Sequence, residues 1–437
     1  MAKKHVLSIW MNGDRVASWS RHKLDHELVY EPDWVLSPQG RPLSLSLPFI
    51  PGNQPHRGDR VRWFFENLLP DRADVRNRLR DRFHAASAQA FDLLAEIGRD
   101  CIGAIQVLAD DADIPAIKEI KGEALSEAAI ARSLEVAGGL RLPGFESDDF
   151  RISLAGAQEK TAFLWHKKKW QRPLEATPST HIFKLPMGGV GGMVGPGTGS
   201  IENEWLCSKI VAAYGLPVAP STMASFGAQQ VLIVERFDRK LSQDKSWLLR
   251  LPVEDFCQIK GLPPEKKYEA DGGPGIDAIM SILAGSSTPE CDREIFFKAQ
   301  MIFWLLAAAD GHAKNFSIYL DPQGQYHLAP LYDILSVYPW TESGVNRLPI
   351  QKLKMAMAVR GKNPHYHWDG IHRNHWEETA RRNGLGSRFT RLADEVIEYT
   401  PKVIQSVLSQ LPADFPANIA DAIFSGMRRA VGRLVQD

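Results

Sequence analysis

The chain has 437 residues, of which 44% are hydrophobic and 24% charged, as in an ordinary globular protein. Lysine plus arginine and aspartate plus glutamate both number 52, so the formal net charge is zero. This composition excludes a disordered chain, a collagen-like repeat and a small disulfide-stabilised protein. Neutral charge also argues against binding nucleic acid by bulk charge alone, and the length predicts two or three structural units.

Neither the cysteines nor the apolar runs indicate an oxidising or membrane environment. Four cysteines lie far apart and form no CxxC pair, so neither a zinc ribbon nor a disulfide framework is predicted. The best candidate for a membrane span, Met301–Ala309, is about half of the ~18 residues needed. We therefore expect a soluble, cytoplasmic protein with no membrane partner.

The N-terminal part of the chain predicts a β/α unit. Two apolar segments, His5–Met11 and Arg15–Ser18, flank Asn12-Gly13, a strong hairpin signal because both turn positions need positive φ. Two helices and a strand are predicted next, at Val61–Leu69, Ala88–Ile97 and Cys101–Leu108. A polar stretch then predicts a boundary, so the first unit covers residues 1–110 and contains no evident catalytic group.

A second, β-rich unit is predicted over residues 148–237. The strands Thr161–Trp165 and Trp170–Pro173 flank three consecutive lysines, which we interpret as a solvated turn rather than a binding patch. A strand, a helix and a further strand are predicted at Thr180–Leu185, Ile201–Tyr214 and Val231–Phe237. The glycine-rich stretch Gly188–Ser200 has no GK[ST] ending, so it predicts a surface loop instead of a nucleotide loop.

The remaining residues, 238–437, are predicted to be mostly helical, and their chemistry follows a buried helix at Ile295–Ala309. Asp310 and Asn315 come directly after this helix, and Asp333 comes after a predicted hairpin. Its strands are Phe316–Leu320 and Tyr326–Ala329, joined by a predicted type I turn at residues 321–324. Because a hairpin returns the chain to its start, we expect Asp310, Asn315 and Asp333 to lie side by side.

Such a triad is typical of a phosphoryl-transfer site. Asp310 is placed to accept a hydroxyl proton, while the oxygens of Asn315 and Asp333 suit Mg²⁺, which prefers oxygen ligands. The spacing from Asp310 to Asn315 equals that of a protein-kinase catalytic loop. The sequence departs from the protein-kinase pattern in two places. No HRD motif precedes the loop, and Ile334 follows Asp333 where kinases have Phe-Gly. The alternative is that Asp310 only caps a turn and Asp333 only begins one.

Lys184 lies in the apolar segment HIFKLP, where a lone lysine needs an anionic partner or a route to solvent. Glu204 follows on the next predicted helix, and a strand lysine paired with a helix glutamate holds the nucleotide phosphates in kinases. The alternative is an edge-strand lysine that points outward. The turn Ala155–Lys160 precedes Lys184, in the place of a phosphate-covering loop.

At these residues the chain closely resembles the HipA family of bacterial serine/threonine kinase toxins. The resembling segments are RPLSLSLP (Arg41–Pro48), ENLLPD (Glu66–Asp71), FDLLAEIGRD (Phe91–Asp100), DFRISLAGAQEKTA (Asp149–Ala162), HIFKLP (His181–Pro186), VERFDR (Val234–Arg239), DGGPG (Asp271–Gly275), DGHAKNFS (Asp310–Ser317) and YDI (Tyr332–Ile334). Each motif is short, but the ordered set is specific and spans most of the chain.

The resemblance implies an α+β, two-lobed protein-kinase-like fold with an added N-terminal β/α subdomain and a mostly helical C-lobe. It makes Asp310 the catalytic base, Asn315 and Asp333 the Mg²⁺ ligands, and Lys184 the phosphate-contacting lysine. The ATP-binding residues implied are Ala155, Gly156, Ala157, Gln158, Glu159, Lys160, Lys184, Glu235, Arg236, Phe237, His312, Lys314 and Tyr332.

The resemblance also implies regulation, because Ser153 matches the family's autophosphorylated serine. Phosphorylation there adds roughly −2 charge beside the ATP phosphates, which is expected to expel the nucleotide loop and inactivate the kinase.

Partners follow from the resemblance as well. Family members form a complex with HipB, a small helix-turn-helix antitoxin that binds operator DNA and represses the operon, so the complex is expected at the nucleoid. The best-known members phosphorylate glutamyl-tRNA synthetase and produce drug-tolerant cells. A basic cluster either contacts DNA phosphates or forms an ordinary solvated helix face; it consists of Arg381, Arg382, Arg388 and Arg391. The rival functions are a small-molecule kinase and a non-enzymatic DNA-bound co-repressor.

Overall fold

A computed structural model describes residues 5–112, 116–139, 153–156, 158–187, 199–341 and 349–436. Ala157 and most of the glycine-rich stretch, residues 188–198, lie outside the described residues. Among the helices that are described, none combines the length and apolar character needed to cross a membrane.

The N-terminal unit is built on a five-stranded antiparallel sheet with the order β4-β3-β2-β1-β5. Its strands are β1 (His5–Met11), β2 (Asp14–His22), β3 (Asp25–Tyr30), β4 (His56–Arg57) and β5 (Ile105–Ala109). Asn12 and Gly13 have φ of 47° and 91°, as the predicted β1–β2 turn requires. The hairpin prediction is therefore confirmed.

Four helices accompany this sheet: α1 (Pro32–Leu36), α2 (Asp59–Glu66), α3 (Ala73–Phe83) and α4 (Ala90–Ile97). Helices α2 and α4 bury apolar faces against the sheet, where Trp19 stacks on Phe65 with ring centroids 3.7 Å apart and meets Phe91 edge-on. Helix α3 buries no residue fully. Since it lacks an apolar stripe, the hydrophobic pattern gave no signal for it.

The second sheet has six strands in the order β10-β11-β9-β7-β8-β6. Its elements in chain order are β6 (Gly122–Ala124), α5 (Glu127–Ala137), β7 (Lys160–His166), β8 (Lys169–Pro173), β9 (His181–Lys184), α6 (Ser200–Ala213), β10 (Ser221–Phe226) and β11 (Gln229–Glu235). Strand β6 and helix α5 precede residue 148, so this sheet begins earlier than the predicted unit. Helix α6 is buried almost all round, which places its polar residues inside the protein.

Helices make up most of the regular structure of the C-terminal part, as predicted, but short strands accompany them. Its helices are α7 (Phe256–Lys260), α8 (Ile276–Leu283), α9 (Pro289–Leu305), α10 (Arg373–Arg382), α11 (Gly386–Leu408) and α12 (Ala417–Gln436). Seven short strands accompany them: β12 (Arg239–Leu241), β13 (Leu248–Arg250), β14 (Val253–Asp255), β15 (Ser317–Leu320), β16 (Tyr326–Leu328), β17 (Lys354–Arg360) and β18 (Pro364–His367). Five of these strands are too short or irregular to give a clear alternating pattern, and the sequence prediction missed them.

The hairpin β15–β16 exists, but its turn differs from the prediction. Gln323 has φ of 62°, whereas the third residue of a type I turn needs a negative φ. The Gln323 N–H donates to the carbonyl of Gly40 in the N-terminal unit at 2.9 Å. A tertiary contact is therefore associated with the turn geometry that the local sequence did not predict.

Candidate active site

Lys184 ends the central strand β9 and points into the protein, so it is not an outward-facing edge lysine. Its side chain is only 7% exposed. The Nζ atom donates hydrogen bonds to Asp333 Oδ1 at 2.8 Å and to Glu204 Oε1. Glu204 lies on the buried helix α6 and is 3% exposed. The fold thus brings together a strand lysine, a helix glutamate and an aspartate from residues 184, 204 and 333.

The charges in this group stabilise one another. Burial alone would lower the pKa of Lys184, but the carboxylates of Asp333 and Glu204 raise it above its ordinary value. Burial would likewise raise the pKa of Asp333, yet Lys184 and Lys160 hold it below the usual range. Lys184 and Asp333 are therefore both charged at neutral pH, as a cation for phosphate and an anion for a metal must be.

The predicted catalytic loop after α9 holds Asn315 and exposes Asp310. The Nδ2 atom of Asn315 donates to the Asp310 backbone carbonyl at 2.8 Å. An amide whose nitrogen is held in this way offers its oxygen as a ligand atom. The Asp310 side chain is 66% exposed, and its Oδ1 accepts a hydrogen bond from the Tyr268 hydroxyl at 2.5 Å. A base that must meet the hydroxyl of another molecule needs this exposure.

Asp333 is held beside that loop by its neighbour Tyr332. The Tyr332 hydroxyl donates to the Lys314 carbonyl at 2.9 Å and lies 2.6 Å from Ser317 Oγ. Asp333 itself has φ of 61°, a left-handed conformation that is uncommon for a residue other than glycine. Such backbone strain tends to cluster at functional sites. The hairpin therefore returns the Asp333 segment to the loop that carries Asn315.

The nucleotide loop approaches this group through Lys160. Gly156 has φ of 103°, and a Cβ built there would lie 2.7 Å from Lys160 Nζ, so a side chain at this position would collide with the ammonium. Burial, together with the charge of Lys184, lowers the pKa of Lys160 to about 8, although Asp333 opposes the shift. A second lysine thus faces the same region, and Ala155 precedes it in the loop.

Two predicted nucleotide-loop residues direct their side chains elsewhere. Gln158 Nε2 donates to the carbonyl of Leu185 at 2.6 Å, and Glu159 pairs with Arg78 of α3 at 2.6 Å. The Gln158 amide nitrogen and the Glu159 carboxylate are therefore engaged away from the Lys184 group.

At the junction after β11, Phe237 faces the site but Arg236 does not. The Arg236 side chain is 1% exposed and binds Asp238 at 2.8 Å, and its backbone N–H donates to the carbonyl of Thr180 at 2.9 Å. The Phe237 ring lies 5.5 Å from the Tyr332 ring, and these two aromatic side chains offer an apolar surface at the site. Glu235 is exposed, and its backbone N–H donates a hydrogen bond to the carbonyl of Pro220.

Two catalytic-loop side chains predicted to bind ATP are engaged differently. Lys314 Nζ donates to Asn67 Oδ1 at 2.9 Å and lies 3.3 Å from Asp71 Oδ1, both in the N-terminal unit. His312 is buried, which lowers its pKa, and its ring meets Tyr268 edge-on at 5.1 Å. The ammonium of Lys314 is therefore not part of the Lys184 group.

Sequence reasoning missed Asp71, Lys267 and Tyr268 as residues of this region. The ENLLPD segment, which contains Asp71, contributed only to the family resemblance. Nothing in its spacing pointed to a partner far along the chain.

Ser153 is fully buried against the N-terminal unit. Its Oγ donates to the carbonyl of Leu68 at 2.7 Å, and its N–H donates to the carbonyl of Asp100 at 3.1 Å. The hydroxyl meets no phosphate donor unless this segment moves.

The predicted basic cluster is neutralised by acidic partners. Arg381 pairs with Glu378 and Arg382 with Asp277, while Arg388 and Arg391 share Glu294. This arrangement favours the interpretation as a solvated helix face.

The donor set fits Mg²⁺ better than a metal bound entirely by protein. Within the described ranges there is no group of three or more His, Cys, Asp or Glu residues that could hold a metal ion. Mg²⁺ is usually held by one or two carboxylates, water and substrate phosphates. The charged Asp333 and the amide oxygen of Asn315 suit that mode of binding.

The fold and the site define a two-lobed, kinase-like protein with an added N-terminal unit, and comparison with known families gives the same class. A sequence model described as the HipA N-terminal domain matches residues 7–108. A second, described as the HipA-like C-terminal domain, matches residues 152–405. The chain therefore belongs to the HipA family, and the predicted α+β, kinase-like fold class is confirmed.

Similar proteins cover nearly the whole chain. The putative kinase Y4mE of Sinorhizobium fredii is 32% identical and aligns over 92% of both chains. The serine/threonine-protein kinase toxin HipA of Shewanella oneidensis is 27% identical over 92% of this chain and 90% of that protein. In a solved complex of HipA, HipB and operator DNA from S. oneidensis MR-1, the matched chain has a TM-score of 0.79 at 22% identity, with 98% and 97% coverage.

Proposed function

We propose that this protein is an ATP- and Mg²⁺-dependent protein serine/threonine kinase. The observation that carries the proposal is the contact of Lys184 Nζ with both Glu204 and Asp333. In kinases a strand lysine and helix glutamate position the phosphates, and an aspartate after the catalytic loop binds the metal. The family's kinase relatives support the same reaction.

In this mechanism the chain supplies orientation and charge. Lys184 binds phosphate oxygens, and Lys160 adds a second positive charge beside the nucleotide loop. Asn315 and Asp333 hold Mg²⁺, which neutralises charge on the phosphates when it is bound. Asp310 accepts the proton of the attacking serine or threonine hydroxyl, which then bonds to the γ-phosphorus as ADP leaves.

The base assignment is tested by Asp310→Asn, with Asp321→Asn as a matched control. Asp321 is a nearby surface aspartate that pairs with His327 in the β15–β16 turn. With labelled ATP and cell lysate, we expect the control and the wild type to label a protein band and Asp310→Asn to label none. Label that appears only in small molecules would favour the rival small-molecule kinase and contradict the proposal, as would full activity of Asp310→Asn.

We also propose that the kinase acts as a toxin restrained by a HipB-like antitoxin that carries it to operator DNA. The complex of HipA with HipB and operator DNA supports this, because the fold of that HipA matches nearly all of this chain. Expression of the chain alone is expected to stop growth, and co-expression of the antitoxin to restore it. Growth arrest that persists in Asp310→Asn would favour a non-enzymatic role.

Glutamyl-tRNA synthetase is the substrate we propose, from the family resemblance. Purified synthetase incubated with the kinase and labelled ATP is expected to gain one phosphate. Phosphopeptide mapping of growth-arrested cells tests this substrate assignment without assuming which protein is modified. Glutamyl-tRNA synthetase that carries no phosphate in those cells would contradict the assignment.

We further propose that Ser153 is autophosphorylated and that this inactivates the kinase. Phosphate cannot remain in the buried position of Ser153 without desolvating about −2 charge, so the segment must leave its place beside Leu68. Mass spectrometry after incubation with ATP is expected to find phosphate at residue 153 together with falling activity. Activity that falls equally in Ser153→Ala would contradict this mechanism.

A further inference from the structure

A short segment of the N-terminal unit lies between the nucleotide loop and the catalytic loop. Pro70 forms a parallel β-bridge with Gly156, and the Asp71 N–H donates to the Gly156 carbonyl at 3.3 Å. The Asp71 side chain is only 16% exposed. A unit without catalytic groups of its own therefore reaches the centre of the proposed active site.

The Asp71 carboxylate binds lysines from two other segments. Its Oδ2 accepts a hydrogen bond from Lys267 Nζ at 2.9 Å, and its Oδ1 lies 3.3 Å from Lys314 Nζ of the catalytic loop. Burial alone would raise the pKa of Asp71, but the two ammonium groups lower it to about 2. The carboxylate is thus a permanent anion at neutral pH.

The segment that carries Lys267 continues directly to the catalytic base. The Lys267 carbonyl accepts a hydrogen bond from the Ala313 N–H at 3.1 Å. The hydroxyl of the next residue, Tyr268, donates to Asp310 Oδ1 at 2.5 Å. Asp71, Lys267, Tyr268 and Asp310 therefore form a continuous path of contacts, which we call the positioning path.

We propose that Asp71, Lys267 and Tyr268 are positioning residues that let the N-terminal unit orient Asp310 for phosphoryl transfer. The inference rests on the proposed kinase function. Asp310 is largely exposed, so packing does little to fix its side chain, and the Tyr268 hydroxyl is a contact that does. Misplacement of a reacting group by about 1 Å can cost 10²-fold in rate.

The test compares Asp71→Asn, Tyr268→Phe and the double variant. Each single change is expected to lower kcat by about 10- to 100-fold, while KM for ATP stays near the wild-type value because Lys184 and Asp333 are untouched. Since the contacts act in series, the double variant should lose no more than the worse single variant. Asp74→Asn is the control, because Asp74 lies three residues after Asp71 and its exposed carboxylate pairs with Arg72. The kcat of this variant should equal that of the wild type.

A second measurement does not depend on kinase activity. Hydrogen exchange of the catalytic-loop peptide over residues 310–316 is expected to become faster in Asp71→Asn and to stay unchanged in Asp74→Asn. Unchanged exchange, unchanged kcat in Tyr268→Phe, or losses that multiply in the double variant would each overturn the positioning path. A wild-type protein that transfers no phosphate, but whose loop responds to Asp71→Asn, would instead refute the proposed function and leave the path standing.

Discussion

Two buried ion clusters join distant segments of this protein, and they differ in how far their carboxylates are exposed to solvent. The hinge cluster consists of Asp100, Arg236, Asp238 and Arg239. All four of its carboxylate oxygens accept protein hydrogen bonds, including those from Ser179 to Asp100 and from the Gly103 N–H to Asp238. Its side chains are almost completely shielded from solvent.

The active-site cluster consists of Lys160, Lys184, Glu204 and Asp333. Here the Asp333 side chain is 31% exposed. Among the described residues each cluster leaves one buried atom without a hydrogen-bond partner, Glu204 Oε2 in this cluster and Arg239 Nε in the hinge cluster. A closed set of arginine–carboxylate pairs is suited to holding units together, whereas lysines beside an accessible carboxylate can exchange partners with a ligand. The difference indicates a structural role for the first cluster and a binding role for the second.

Of the changes within the two clusters, removal of Lys184 should produce the largest effect on activity. In Lys184→Met we expect phosphate transfer to fall by about 10²- to 10³-fold, the usual cost of losing one group that stabilises developing charge. Transfer rates at saturating and limiting ATP measure the loss, and Lys169→Met, at the exposed first residue of β8, is the control. Activity within a few-fold of the wild type would remove the distinction between the two clusters.

Removal of Asp100 should produce the largest effect on stability. In Asp100→Asn the hinge arginines lose a carboxylate inside the protein, and breaking a buried ion pair costs about 3–5 kcal/mol. Urea unfolding measures the change, with the exposed Asp111→Asn as the control. The folded fraction should still bind ATP; lost binding together with unchanged stability would reverse the roles assigned to the clusters.

The active-site cluster should also make stability depend on pH. Lys160 has a pKa of about 8 in the folded protein, below its ordinary value of 10.5. Between these values the unfolded chain binds a proton that the folded protein has lost, so the free energy of unfolding rises with pH in this window. Comparison of the wild type with Lys160→Met at pH 7.5 to 10.5 isolates this contribution. A difference that stays flat or falls with pH would contradict it.

The smallest effect is expected at the neutralised arginines of α10. If Arg381 and Arg382 only form ion pairs within the protein, replacement of both by alanine leaves the operator affinity of the antitoxin complex unchanged. If they contact DNA, each replacement lowers the salt dependence of binding by about one unit of slope. Binding titrations at several salt concentrations distinguish the two outcomes.

Much of the local structure could be predicted from the sequence. The Asn12-Gly13 hairpin follows from turn chemistry, and α2, α4 and α9 follow from apolar periodicity bounded by proline or glycine. Lys184 stands out because a charged residue within an apolar segment needs a partner, and Glu204 follows from the lysine–glutamate pair of kinases. Helix α3 and five short strands near the C-terminal helices could not be predicted. Their apolar residues follow neither the helical period nor the alternation of a strand clearly enough.

The sequence by itself determined many of the elements and the identity of the chemical groups, because turn preference and apolar period act over a few residues. Tertiary structure decided where those groups point. Lys314 and Arg236 turn away from the Lys184 group because buried carboxylates elsewhere bind them, and Asp71 meets Lys267 across 196 positions of the chain. Contacts of this kind depend on how separate units pack together, a property that no local pattern encodes.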